Sequence, residues 1–234
     1  MNSIKKISSL ILTAFFVFAV FAASAIVDKS KRNVSDFSGI KVSSGIDLYL
    51  TMGSTEEVVV EADDDIIDKI ITEVEDGVLK IYVKDNIFWK WRSERKVHVT
   101  VKELNKLHCS AGSDVESENT IESEELSVKA SSGSDVKLNV KTGKLFLDTS
   151  SGSDAKISGT SEVFNLEASS GSDIHASELK TKVCHVSVSS GSDASIYVTD
   201  ELVAKASSGG DIRYSGNPSK KDIKESSGGD VYQK

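Results

Sequence analysis

The chain has 234 residues, with 36 acidic against 28 basic side chains and a formal charge of −8. That length suits one good-sized domain or two small ones. The four arginines, Arg32, Arg92, Arg95 and Arg213, form no stripe. With the acidic excess this argues against a nucleic-acid or anionic-lipid partner, both of which need a positive patch.

Residues 1–25 read as a secretory signal. Lys5 and Lys6 form a positive start, Leu10 to Ala22 is apolar except for Thr13, and Ala23-Ser24-Ala25 supplies small residues for cleavage. The apolar run is short for a bilayer span, although a retained N-terminal anchor is the alternative. No cysteine follows it, so a lipid anchor is not expected. Cleavage after Ala25 removes Lys5 and Lys6 and takes the charge from −8 to −10. The expected destination is the periplasm, the cell surface or the exterior.

Residues 26–104 are expected to form an N-terminal cap and the first irregular coils. Ile40 and Val42 precede Ser43-Ser44-Gly45-Ile46-Asp47, and Leu48 and Leu50 follow it, so every second residue is apolar. Val58-Val59-Val60, Val78 to Val83 and Val97 to Val101 read as strands, with an Asp76-Gly77 turn before the second. Asp63 to Ile71 is expected as a short helix, with Asp63 or Asp64 as its N-cap. Trp89 and Trp91 stand in a charged loop and are the candidate binding aromatics, since tryptophan is enriched in binding hot spots. The alternative is that they close an end or side of the fold.

Residues 105–234 repeat. Ser-Ser-Gly-Ser-Asp or a variant recurs, with glycines at Gly112, Gly133, Gly152, Gly171, Gly191, Gly209 and Gly228. Their spacings are 21, 19, 19, 20, 18 and 19 residues. Apolar residues stand at odd offsets from each glycine. Five before it are Leu107, Val128, Leu147, Leu166, Val186, Ala204 and Ile223, and three after it are Val115, Val136, Ala155, Ile174, Ala194, Ile212 and Val231. Alternation at period two means strands with one buried face. Each copy is then strand, glycine turn, strand and a second turn, exemplified by Thr142-Gly143-Lys144, Ser158-Gly159-Thr160 and Gly216-Asn217-Pro218. One coil cannot bury its own apolar face, so the coils stack at strand spacing of about 4.8 Å. The fold class expected is all-β: one continuous parallel β-solenoid over 26–234, with coils of roughly nineteen residues. The repeated glycine is expected to need a φ that other residues resist.

Stacking also aligns Asp114, Asp135, Asp154, Asp173, Asp193, Asp211 and Asp230 in a ladder. Neighbouring carboxylates at about 5 Å repel, by roughly 1 kcal/mol per pair in water. Hydrogen bonds from turn amides or serine hydroxyls are expected to offset this. A row of cations is the alternative. Only one such turn occurs per coil, too few oxygens for calcium. No metal and no cofactor is expected. Cys109 and Cys184 lie four coils apart, about 19 Å at strand spacing, and are expected to stay unpaired.

An export signal leads into Phe37…Ile40-Lys41-Val42 and Gly45-Ile46-Asp47. Gly77-Val78-Leu79-Lys80-Ile81, Val97-His98-Val99-Thr100-Val101, Leu104…Leu107 and the Ser/Gly/Asp repeats follow. Over residues 34–234 this pattern resembles the auto-transporter adhesin, head GIN domain family of bacterial exported proteins. The resemblance implies a single-stranded, right-handed parallel β-helix and brings no catalytic residues. No membrane-barrel strands follow the repeats, so self-translocation is not expected.

No enzyme is expected either. His98, His108, His175 and His185 share no metal-ligand spacing, and no serine stands in a nucleophile elbow. The expected function is an exported, non-catalytic, adhesin-like or envelope-associated binding protein. Envelope polysaccharide, a cell surface or a protein would be its ligand. A structural or self-assembling envelope module is the alternative, with a polysaccharide-acting enzyme behind both. The last coil is expected either to self-associate weakly through its edge or to be protected by Lys220-Lys221-Asp222.

Overall fold

A computed structural model of the protein describes residues 27–84 and 93–234. The proposed signal peptide, Trp89 and Trp91 lie outside the described residues. Among those described the chain is β-structure throughout, with one 3-10 turn. In chain order the strands are β1 (Val27–Arg32), β2 (Gly39–Val42), β3 (Asp47–Met52), β4 (Glu57–Asp63), β5 (Ile70–Glu75), β6 (Val78–Val83), β7 (Arg95–Val101), β8 (Lys106–Ser110) and β9 (Asp114–Ser117). They continue with β10 (Ile121–Ser131), β11 (Asp135–Ser150), β12 (Asp154–Ala168), β13 (Asp173–Val188), β14 (Asp193–Ser207), β15 (Asp211–Ser215), β16 (Lys220–Ser226) and β17 (Val231–Gln233).

The repeats stack in parallel register as a β-solenoid. Leu107 pairs with Val128, Val128 with Leu147, Leu147 with Leu166, and so on to Ile223. The alternating apolar residues turn inward, and the columns from Leu107 to Ala204 and from Val115 to Ile212 are buried. Cys109 and Cys184 are buried in this core and free.

The glycine turn has a backbone reason that the repeat pattern shows only in part. At every copy from Gly45 to Gly228 the glycine has φ between +64° and +76°, and the residue before it is also positive, between +51° and +75°. Two successive left-handed residues are the φ signature of a type I′ turn. A Cβ on Gly133 would meet nothing within 4 Å, so conformation, not space, selects glycine there. The preceding serines take the same region without that freedom, at a cost of roughly 1–2 kcal/mol each. Hydrogen bonds between coils offset it: Gly133 N–H donates to the Ser151 carbonyl at 3.1 Å, and Gly152 N–H to that of Ser170 at 3.0 Å. The serines after the glycine, Ser113, Ser134, Ser153, Ser172 and Ser192, are fully buried at this narrow corner. Ser134 Oγ donates to the Cys109 carbonyl, and Ser153 Oγ to that of Ser150.

The second corner differs from expectation. Thr142-Gly143-Lys144 and Ser158-Gly159-Thr160 lie inside the continuous strands β11 and β12 and do not interrupt them. The ladder carries on around the bend, with Lys141 opposite Thr160 and Lys144 opposite Val163. Glycine is needed here for close approach: a Cβ on Gly159 would stand 2.0 Å from the Val140 carbonyl oxygen. Register shifts between Lys156 and Ser158, and in the pairing of β13 with β14, absorb the uneven repeat lengths at this corner.

The helix expected over Asp63 to Ile71 is not formed. Only Ile67–Lys69 makes a 3-10 turn, without a side-chain cap. Ile66, Ile67 and Ile70 are buried, and β5 pairs antiparallel with β6 through the Asp76-Gly77 hairpin. Burial of these β-branched residues in the core, Ile66 and Ile67 from the turn and Ile70 from the start of β5, outweighs the local capping signal.

Stacking order in the cap does not follow chain order. β2 lies between β6 and β8, and β3 between β7 and β9. The first coil is therefore covered on one side by β6 and β7 and on the other by β8 and β9. Antiparallel β4 then covers β7, and β1 covers β4.

Candidate functional site

Immediately after each glycine turn the strands present two outward columns. The first holds Asp47 and the seven repeat aspartates. Asp47 pairs with Asp114, Asp114 with Asp135, Asp135 with Asp154, Asp173 with Asp193, and Asp193 with Asp211. Backbone amides of the next coil bond these carboxylates. Asp135 N–H donates to Asp114 Oδ1 at 3.3 Å, Asp173 N–H to Asp154 Oδ1 at 3.0 Å, Asp211 N–H to Asp193 Oδ1 at 3.3 Å and Asp230 N–H to Asp211 Oδ1 at 3.3 Å. In each of these bonds one carboxylate oxygen is engaged along the axis.

Burial raises the Asp47 carboxyl above its ordinary pKa, opposed by the Lys96 charge beside it. Asp114 is exposed at its tip, yet partial loss of solvent between the adjoining turns also raises it, with the Asp135 amide pulling the other way and the neighbouring Asp135 and Asp47 charges adding to the rise. No group of three or more His, Cys, Asp or Glu side chains among the described residues is arranged to hold a metal ion.

Two residues further on stands the second column: His98, Tyr49, Glu116, Lys137, Lys156, His175, Ser195, Arg213 and Tyr232, each opposite the next across the ladder. Its middle carries two lysines, Lys137 and Lys156. Lys137 pairs with Glu116 at 2.5 Å. Its ends are aromatic. Tyr49 stacks on His98 with centroids 5.1 Å apart and rings 17° from parallel. Arg213 Nη2 donates to the Tyr232 hydroxyl at 2.6 Å.

Between the two columns runs a shallow groove. One depression of about 370 Å³ extends from Asp47 and Tyr49 to Asp154 and His175. A second, of about 210 Å³, begins at Asp173 and His175 and continues to Arg213 and Tyr232. They meet at His175. From Tyr49 to Tyr232 is seven stacking steps, roughly 34 Å at strand spacing.

The aspartate bank was legible in the repeat, whereas the opposite bank was not, because its residues differ from coil to coil. Counting two residues on from each aspartate would have found it.

The family model described as "Putative auto-transporter adhesin, head GIN domain" matches residues 36–218. The chain belongs to this family. Solved structures share the fold of this head GIN domain protein. A protein from Bacteroides fragilis titled a putative adhesin has a TM-score of 0.81 at 20% identity, covering 90% of this chain and 98% of that one. A putative adhesin from Parabacteroides merdae has a TM-score of 0.71 at 20% identity, covering 89% and 96%. A protein from Parabacteroides distasonis titled a putative lipid binding protein has a TM-score of 0.66 at 18% identity, covering 89% and 96%. No curated protein matches the sequence. The family match includes Asp47 and every aspartate of the ladder except Asp230.

Proposed function

We propose that this head GIN domain protein is exported and acts without catalysis, as an adhesin-like solenoid that binds the cell envelope or a cell surface through the axial groove. The observation that carries this reading is the groove itself, in which a continuous aspartate bank faces a mixed bank of Tyr49, Glu116, Lys137, Lys156, His175, Ser195, Arg213 and Tyr232. A repeat-built surface of this kind suits an extended ligand, because the aspartate recurs at every coil along one bank. The names borne by the B. fragilis and P. merdae proteins agree with a binding role. The non-catalytic reading rests on the sameness of the carboxylates. Hydrolytic sites place two acids in contrasting environments that push their pKa values apart. Here the acids stand in one row, each beside the next on an open face, and the carboxylate of the facing column, Glu116, is tied to Lys137.

Cell fractionation with mass spectrometry should find the mature protein outside the cytoplasm, beginning at or near Ile26. Purified protein should co-sediment with isolated envelopes of the producing organism. Lys137→Glu with Lys156→Glu should abolish sedimentation, while Lys129→Glu with Lys205→Glu on the other side of the glycine turn should not. Equal loss in both double variants, or a cytoplasmic full-length chain, would overturn the reading.

A further inference from the structure

A second surface lies on the strands that precede the glycine turn, and there the register gathers cations that are scattered along the chain. We infer that Lys41, Lys106, His108 and Lys129 form a binding site for a single dianionic phosphoryl group, carried by a small dissolved molecule. The site is separate from the groove, and the envelope-binding role does not depend on it.

Four strands bring these residues together. Lys80 in β6 stands opposite Lys41 in β2, Lys41 opposite His108 in β8, and His108 opposite Lys129 in β10. At strand spacing this row is about 14 Å long. Lys106 lies two residues before His108 on the same strand and shares its outward face. Lys80 is paired with Glu75, and Lys129 with Asp148 at 2.6 Å. Lys41 and Lys106 are exposed and have no ion-pair or hydrogen-bond partner among the described residues, and the His108 ring makes no hydrogen bond among them. Three ammonium groups thus surround an imidazole with free ring nitrogens, on a chain whose formal charge is −8. Burial, and then the charges of Lys41, Lys129 and Lys106, hold His108 below its ordinary 6.5, with Asp148 pulling the other way.

The charge balance selects the ligand class. Lys41, Lys106 and Lys129 carry positive charge, Asp148 offsets the Lys129 charge, and the charges of Lys41 and Lys106 remain uncompensated. A phosphoryl dianion matches that balance, whereas a carboxylate leaves one ammonium unanswered. Lysine binds phosphate as a point charge, and His108, once protonated, adds a directed N–H donor. Lys41 and Lys129 each stand about 4.8 Å from His108 across the sheet and Lys106 about 6.6 Å along the strand, so their long stems can bring all three ammonium groups over the imidazole. The same row sets the size of the ligand. Beyond Lys129 it continues as Asp148 and Glu167, and at the other end Glu73 stands opposite Lys80. A polyanion laid along the axis, or the anionic face of a bilayer, would meet those carboxylates and be repelled. A single compact head group does not reach them.

The test is calorimetric titration of the full mature protein at low salt and about pH 7.5, where phosphate is mostly dianionic. The probes are inorganic phosphate, sulfate, a hexose monophosphate, acetate, and phosphatidylcholine vesicles containing phosphatidic acid. Phosphate, sulfate and the hexose monophosphate should each bind once per chain, and acetate at least about tenfold more weakly. Lys41→Gln with Lys106→Gln should weaken phosphate binding about tenfold or more, as expected for losing charge-assisted hydrogen bonds, with unchanged circular dichroism. Sulfate keeps its charge as pH falls. Its binding should therefore tighten from about pH 7.5 to about pH 5.5 as His108 takes up a proton, and the tightening should vanish in His108→Asn. The double variants of the envelope assay separate the two sites. Lys129→Glu with Lys205→Glu should abolish phosphate binding and spare envelope sedimentation, and Lys137→Glu with Lys156→Glu should do the reverse. Phosphate that binds no better than acetate, or equal loss of phosphate binding in both double variants, would overturn the site. Tighter binding to the vesicles than to inorganic phosphate would overturn the dissolved ligand and make this face a membrane contact.

Discussion

Replacing Asp114 by asparagine should stabilise the protein. Asp114 is flanked in the ladder by Asp47 and Asp135. At strand spacing each neighbouring charge repels it by roughly 0.8 kcal/mol in water. The side chain is exposed, and solvent screening reduces the gain from removing both contacts to about 0.5–1.5 kcal/mol. Asparagine keeps an oxygen that can accept the Asp135 N–H bond now made to Asp114 Oδ1 at 3.3 Å. Urea unfolding at pH 7 and low salt measures the change, and the melting temperature should rise by about 2–4 °C per kcal/mol.

The pH dependence follows from the raised Asp114 carboxyl. A carboxyl raised above its ordinary value of 3.8 contributes stability in its protonated form, present below 3.8 and lost as pH rises through the raised value. The advantage of asparagine should therefore be full at neutral pH and vanish on acidification below 3.8. It should also shrink in 1 M salt, where the screening length is about 3 Å. A loss of more than about 1 kcal/mol in D114N would refute the reasoning, as would a melting temperature that falls in chelator and recovers with calcium. The first result would mean that the hydrogen bond from the Asp135 amide outweighs the repulsion, and the second would make the ladder a ligand site.

Gly159→Ala should cost at least about 3 kcal/mol or prevent folding, because its Cβ would strike the Val140 carbonyl at 2.0 Å with φ at +107°. Gly133→Asn should cost less than about 1 kcal/mol in the same urea titration, because its turn is open and asparagine tolerates φ of +66°. Cys109 and Cys184 should ignore a thiol reagent in the native state and yield two thiols per chain in denaturant without reductant. Burial pushes the Cys109 thiol up to about 12 and raises Cys184 as well, so neither forms thiolate near neutral pH. In the last coil Lys221 stands opposite Leu202 and Glu225 opposite Ala206, so charges occupy inward columns that earlier coils fill with apolar residues. Lys221→Leu with Glu225→Ala should cause association that grows with concentration in light scattering, whereas the unaltered protein should stay unassociated through this end. No difference between the two would mean that these charges do not guard it.

Local periodicity was enough to read much of this molecule. The odd offsets of Leu107, Val128 and Leu147 from their glycines specify inward-facing strands, and the regular interval between them specifies stacking. Both follow from the geometry of one strand and its nearest neighbour. The Asp76-Gly77 hairpin was legible for the same reason. Local signals failed where distant contacts decide. Asp63 and Asp64 resemble a helix cap, yet Ile66, Ile67 and Ile70 are drawn into a core built from other parts of the chain. Gly159 looks like a turn residue but bends an unbroken ladder, because the coil before it supplies the hydrogen-bond partners.

The order of the cap was beyond sequence reading as well. Nothing in residues 39–52 shows that β6 and β7 will cover one side and β8 and β9 the other, since that order is set by which exposed edges remain to be paired. The groove is the functional counterpart of this limit. Tyr49 and Glu116 are 67 residues apart in the chain and adjacent in the sheet. Composition and period determined that the chain would stack. Only the tertiary register determined which unlike side chains share a bank, because each strand contributes one residue to it and the ladder alone brings them together.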